Sequence, residues 1–180
     1  LPDGYAVGYN QADEWAIGVY LDVATVLSSD GGDIFIAGAH GPTSNIGYAH
    51  ILVQPGVIVD SGSGRIAMWG KSPVGSAVGT QGICLNYSNN STPVRITSHA
   101  TGSDAILIYS DSSESTAYWS RGITSAWHGV WDAARGFQGV QILATSLGGG
   151  ITLTGIGGGG SGSSDAVGVR LDYTDILARS

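Results

Sequence analysis

Apolar residues recur two apart in a series of short runs: Val19-Tyr20-Leu21, Ile34-Phe35-Ile36, Ile51-Leu52-Val53, Ile66-Ala67-Met68 and Ile83-Cys84-Leu85. A period of two sends alternate side chains to opposite faces of a strand, so each run reads as a β-strand with one apolar face. The runs also repeat. Val19 to Leu21 falls on Ile51 to Val53 and then on Ile83 to Leu85, 32 residues on each time (51 − 19 and 83 − 51). Gly32-Asp33-Ile34-Phe35-Ile36 falls on Gly64-Arg65-Ile66-Ala67-Met68 at the same offset, and Gly38 falls on Gly70. In the third copy the middle section is shorter, and Val94-Arg95-Ile96 is the expected match to that second strand. Ile106-Leu107-Ile108 and Val140-Gln141-Ile142 read as further first strands, before Ile151-Thr152-Leu153 and Val169-Arg170-Leu171 restore the pattern.

A single copy cannot bury its apolar row, whereas stacked copies can, each strand pairing with its equivalent about 4.8 Å away. The expected inward set is Val19, Leu21, Ile34, Ile36, Ile51, Val53, Ile66, Met68, Ile83, Leu85, Val94, Ile96, Ile106, Ile108, Val140, Ile142, Ile151, Leu153, Val169 and Leu171. β-branched residues dominate it, as a pleated surface prefers. A helical reading fails on period, and on glycine, which costs about 1 kcal/mol at each helix-interior position. The expectation is therefore an all-β chain: one β-solenoid domain over residues 1–180, with about six coils and three short strands per turn. Gly157 to Ser164 reads as a flexible low-complexity loop. The interval of about 110–136 departs most from the repeat and holds Tyr118, Trp119, Trp127 and Trp131. It reads as an insertion or an irregular coil.

Composition narrows the class. Glycine is 30 of 180 residues and charged residues only 12%, against about 7% and 25% in ordinary domains. No three-residue glycine period exists, so collagen is excluded. At 42% hydrophobic the chain is too apolar for disorder. Seven basic residues scattered under a net charge of −7 make no nucleic-acid surface. One cysteine, Cys84, permits neither an internal disulfide nor a cysteine-built zinc site. No run approaches the roughly 18 apolar residues of a membrane helix. Leu1-Pro2-Asp3-Gly4 shows no basic n-region or apolar h-region, and the chain reads as a processed or excised segment.

Three stretches carry a family likeness: Gly18-Val19-Tyr20-Leu21-Asp22, Gly31-Gly32-Asp33-Ile34-Phe35-Ile36-Ala37-Gly38, and Gly149-Gly150-Ile151-Thr152-Leu153-Thr154-Gly155, the last followed by the glycine-serine tract and Gly168-Val169-Arg170-Leu171-Asp172. Over roughly residues 16–97 and 137–172 the chain resembles the repeat region of large filamentous-haemagglutinin-like exoproteins. The resemblance implies a right-handed parallel β-helix, a hand that the crossover rule also favours. It further implies a bacterial, secreted or cell-surface stalk used in adhesion or contact.

Candidate chemistry is sparse. Gly155-Ile156-Gly157-Gly158-Gly159-Gly160 matches a dinucleotide fingerprint in form, but no helical pattern follows to offer N–H groups to a phosphate. No Gly-x-Ser-x-Gly elbow occurs. His40, His50, His99 and His128 are too dispersed for a helical zinc motif, and His128 with Asp132 reads as a pair of solvated loop residues. Glycoside hydrolysis needs two carboxylates about 5–10 Å apart. Asp104, Asp111, Glu114 and Asp132 are the candidates for it, while Asp30, Asp33 and Asp60 read as turn residues.

Tyr20, Leu52 and Phe35 fall at outward strand positions. With Tyr118, Trp119, Trp127 and Trp131 they form the candidate binding or interface set. The sequence thus reads as a non-enzymatic stalk or fibre segment without cofactor, metal or catalytic residue. Its expected partners are further coils or copies of itself, with a glycan or host surface as a further candidate and neither nucleic acid nor membrane insertion. The rival is a carbohydrate-active β-helix, binding or degrading a polysaccharide through the 110–136 region.

Overall fold

The computed structural model describes residues 6–7, 17–40, 49–72, 81–85, 92–116, 120–125, 139–159 and 166–179. Within them the chain is all-β and turns repeatedly through three strand positions. β1 (Ala6–Val7) precedes a first complete turn of β2 (Val19–Leu21), β3 (Val26–Ser28) and β4 (Ile34–Ala39). The second turn has β5 (Ile51–Val53), β6 (Ile58–Asp60) and β7 (Ile66–Lys71), and the third β8 (Ile83–Leu85), β9 (Val94–Ser98) and β10 (Gly102–Asp111). The fourth has β11 (Arg121–Ser125), β12 (Val140–Ala144) and β13 (Gly149–Ile156), and then come β14 (Val167–Arg170) and β15 (Thr174–Ala178).

Like positions stack into three five-stranded sheets among the described residues. Sheet A runs β1-β4-β7-β10-β13, sheet B β2-β5-β8-β11-β14 and sheet C β3-β6-β9-β12-β15. Every pairing is parallel. This is the stacked, solenoid-type architecture that the repeat demands, because only a neighbour above and below can cover each apolar row.

Register builds continuous interior columns. Val19, Ile51, Ile83, Ile123 and Val169 share one in sheet B. Leu27, Val59, Ile96, Ile142 and Ile176 share one in sheet C. Ile34, Ile66, Ile106 and Ile151 share one in sheet A. Nineteen of the twenty expected inward residues belong to this core or pack against it. Val169 does not, although its column mates do, because β14 is the edge strand of sheet B among the described residues and is covered on one side only. Val57, Val59, Ile123 and Leu27 complete the core.

Three strand placements differ from the sequence expectation. Val94 to Ile96 pairs with β6 in sheet C, so it is the middle strand of its turn and no counterpart of Ile66. Ile106 to Ile108 pairs with Ile66 to Met68 as a third strand, and Val140 to Ile142 pairs with β9 as a middle strand. The reason is loop length. Along sheet A the spacing grows from 32 to 40 to 45 residues (66 − 34, 106 − 66, 151 − 106), so a fixed offset loses its place after the second turn. The interval 110–136 is also partly regular, since it contains β11, the sheet B strand of the fourth turn.

The corners between sheets C and A are made of small residues. Ser61 and Ser98 both donate to the carbonyl of Gly64, at 2.6 and 2.7 Å. A Cβ on Gly64 would lie 2.2 Å from the carbonyl oxygen of Gly32.

Candidate functional site

The outer face of sheet A brings aromatic and charged side chains together around a groove. Alternation along β4, β7, β10 and β13 turns Phe35, Ala67, Leu107 and Thr152 outward in one column. Ala37, Trp69, Tyr109 and Thr154 form the next. Ala67 is small where its neighbours are large, and the missing bulk leaves a groove of about 520 Å³ lined by Phe35, Arg65, Ala67, Trp69, Asp104 and Leu107. Phe35 is 61% exposed. Trp69 leans on Tyr109 with ring centroids 5.2 Å apart and planes at 45°, a tilted aromatic pair of the kind quadrupoles favour.

Polar groups edge the strip. Asp33 accepts from the backbone N–H of Arg65 at 2.8 Å and from its guanidinium Nη2 at 3.0 Å. Those bonds hold the Asp33 carboxyl below the usual range, the backbone one contributing most. Asp104 accepts from the Thr152 hydroxyl through Oδ1 at 3.1 Å. On the opposite edge Lys71 and Asp111 stand in register. Burial, followed by the charge of Asp111, raises the Tyr109 phenol.

A second cluster is internal. Where sheet A ends, Gly38, Gly70, Ser110 and Gly155 share an inward column, and the absent side chains make room for His50. A Cβ on Gly70 would meet His50 Nδ1 at 2.8 Å and Ser110 Oγ at 2.9 Å. His50 is fully buried, with Nδ1 3.2 Å from Ser110 Oγ and Nε2 3.1 Å from Ser72 Oγ. Its ring stacks on that of His40 at 5.4 Å and 17°. Desolvation, and then the neighbouring His40, hold its pKa well below the ordinary 6.5.

A depressed folded-state pKa means that the unfolded chain takes up the proton first. The stability contribution is complete above pH 6.5 and is lost as the pH falls towards the folded value. Denaturant midpoints should therefore drop between pH 7 and pH 5, by at most about 1.4 kcal/mol per pH unit for this one group. His50→Gln, which keeps a donor and an acceptor but cannot titrate in this range, should flatten that slope. An unchanged slope in the variant would rule His50 out as its source.

Of the residues singled out in the sequence, Phe35 lines the groove. Tyr20 is 49% exposed and donates to Asp22 at 3.3 Å. Leu52 takes no part in an exposed surface: it is fully buried in a side cluster with Ala49 and Cys84, against which Ile17 packs. Burial pushes the Cys84 thiol up to about 12. Tyr118, Trp119, Trp127, Trp131, His128 and Asp132 lie outside the described residues.

Of the candidate carboxylates, Asp104 and Asp111 stand at opposite ends of β10. Asp104 faces the groove, whereas Asp111 accepts from the Ser113 N–H at 2.9 Å as a turn residue. Asp60 is the expected turn residue, accepting from the Gly62 N–H at 2.9 Å, while Asp33 ties two turns together through Arg65. No group of three potential metal ligands occurs among the described residues.

Sequence reasoning missed Arg65, Trp69, Leu107 and Tyr109 as one surface. The signal was present: Ile66-Ala67-Met68-Trp69 and Ile106-Leu107-Ile108-Tyr109 have the same alternation, ending in an aromatic. A scan against protein-family models and searches of curated proteins and of solved structures each found no match.

Proposed function

We propose that this chain is a structural segment of the stalk or fibre of a secreted or cell-surface bacterial exoprotein, whose end turns stack on further coils. In this reading it is a right-handed parallel β-helix of about six coils, counting the partial turns that carry β1 and β14–β15. The observation behind the reading is the state of the interior columns at the last turn. Ile51, Ile83 and Ile123 are wholly buried, yet Val169 in the same column is 36% exposed. Val59, Ile96 and Ile142 are wholly buried, yet Ile176 is 44% exposed. Leu177 and Tyr173 stand open beside them.

At the other end Val19 and Leu27, the first members of those two columns, are only partly buried. Core positions without a covering layer, on strands with an unpaired edge, invite another strand to continue the stack. The resemblance to filamentous-haemagglutinin-like repeats agrees with an extended stalk.

Light scattering coupled to gel filtration tests the proposal. At high concentration the chain should form oligomers or filaments, and Val169→Lys combined with Ile176→Lys should return it to monomer. A wild-type chain that stays monomeric at every concentration would overturn the reading.

A further inference from the structure

We propose that the groove over Ala67 on sheet A binds a neutral polysaccharide, stacking pyranose rings on its aromatic strip. This goes beyond the stalk reading and does not depend on it. The strip is two side-chain columns wide, about 7 Å between positions two residues apart on a strand. It places Phe35 in one column and Trp69 with Tyr109 in the other. A pyranose ring has a matching two-part character: a face of C–H groups and a rim of hydroxyls. The aromatic faces and Leu107 meet the first. Arg65 and Asp104, which line the groove, supply donors and acceptors for the second, and Lys71 stands one outward position beyond the Trp69–Tyr109 column. Among the described residues Asp104 makes one side-chain hydrogen bond, through Oδ1, so its second oxygen is available to a hydroxyl. At about 520 Å³ the groove is of ordinary size for a small-ligand site.

Two observations select this ligand class. First, β4, β7 and β10 each have a paired strand on both sides. The groove therefore offers no free backbone edge, and an extended peptide would find none of the main-chain bonds by which sheets usually recognise one. A ligand here is held by side chains alone, as a polyol with an apolar face can be. Second, the local charges are three carboxylates, Asp33, Asp104 and Asp111, against Arg65 and Lys71, and Arg65 is already paired with Asp33. That balance disfavours a polyanion, so among polysaccharides a neutral one suits the groove better than an acidic one.

Titration calorimetry with cellohexaose, laminarihexaose and oligogalacturonate tests the proposal. At least one neutral glucan should bind saturably at millimolar concentration or below, and oligogalacturonate should bind more weakly. Phe35→Ala removes an exposed ring and should weaken binding about tenfold, the loss of about 1.4 kcal/mol. Ala67→Trp fills the groove and should abolish binding. Far-ultraviolet circular dichroism confirms that both variants fold. Light scattering should show their association unchanged, which separates failure of this site from failure of the stacking ends. Absence of binding by both glucans, binding that survives both substitutions, or a preference for oligogalacturonate would each overturn the proposal.

Discussion

Gly82→Ala is expected to destabilise the chain by about 2–5 kcal/mol, the sum of a left-handed backbone and an overfilled interior. Gly82 has φ +58°, and a Cβ there would sit 1.8 Å from the carbonyl oxygen of Gly122 and 2.5 Å from Ser110 Oγ. Neither neighbour can give way easily. Gly122 is the backbone of the next turn, and Ser110 contacts His50. The Gly82 carbonyl also accepts from the His50 N–H at 2.7 Å, so displacing it disturbs three successive turns at one corner. Gly148 is the matched control. It has φ +77° but nothing within 4 Å of the added carbon, and Gly148→Ala should cost only the backbone term, about 1–2 kcal/mol. Urea midpoints followed by circular dichroism measure both. Equal losses would mean that the close approach at Gly82 is not felt.

Ile142→Ala is expected to cost about 2–5 kcal/mol, and Ile176→Ala about 1 kcal/mol or less, although the two residues stand in register in the same column. The chemistry removed is identical. What differs is cover, because Ile142 has turns on both sides and is wholly buried while Ile176 is 44% exposed. The comparison belongs at low protein concentration, where no second copy lies on the last turn. Raising the concentration should enlarge the Ile176→Ala effect if that turn is a stacking surface. Equal effects at low concentration would show that the end is already covered.

How much of this was legible in the sequence depended on spacing. Aliphatic residues two apart in Val19 to Leu21, Ile34 to Ile36, Ile51 to Val53 and Ile66 to Met68, repeated at 32 residues, gave the strands and their core-facing positions. The apolar residue between them left the other face of β5 unread, where Leu52 is buried. The middle strand of each turn was harder to see. Val26-Leu27-Ser28 and Ile58-Val59-Asp60 put an apolar residue outward, at Val26 and Ile58, so their alternation points nowhere in particular. β11 was hidden for a related reason, with Ile123 its only large aliphatic residue.

The groove went unread because its two outward columns, Phe35-Ala67-Leu107 and Trp69-Tyr109, come into line only once the 40-residue offset between β7 and β10 is known. His40 and His50 lie ten residues apart, a spacing that suggested dispersal. A corner of the coil brings their rings together.

Cys84 gives the interior a clock of its own. It is the sole thiol in the chain, fully buried in the third turn, and it stays protonated far above neutral pH. A thiol reagent can therefore react only during moments when that turn parts from its neighbours. The rate of labelling then reads local breathing at one known level of the stack, without any added probe.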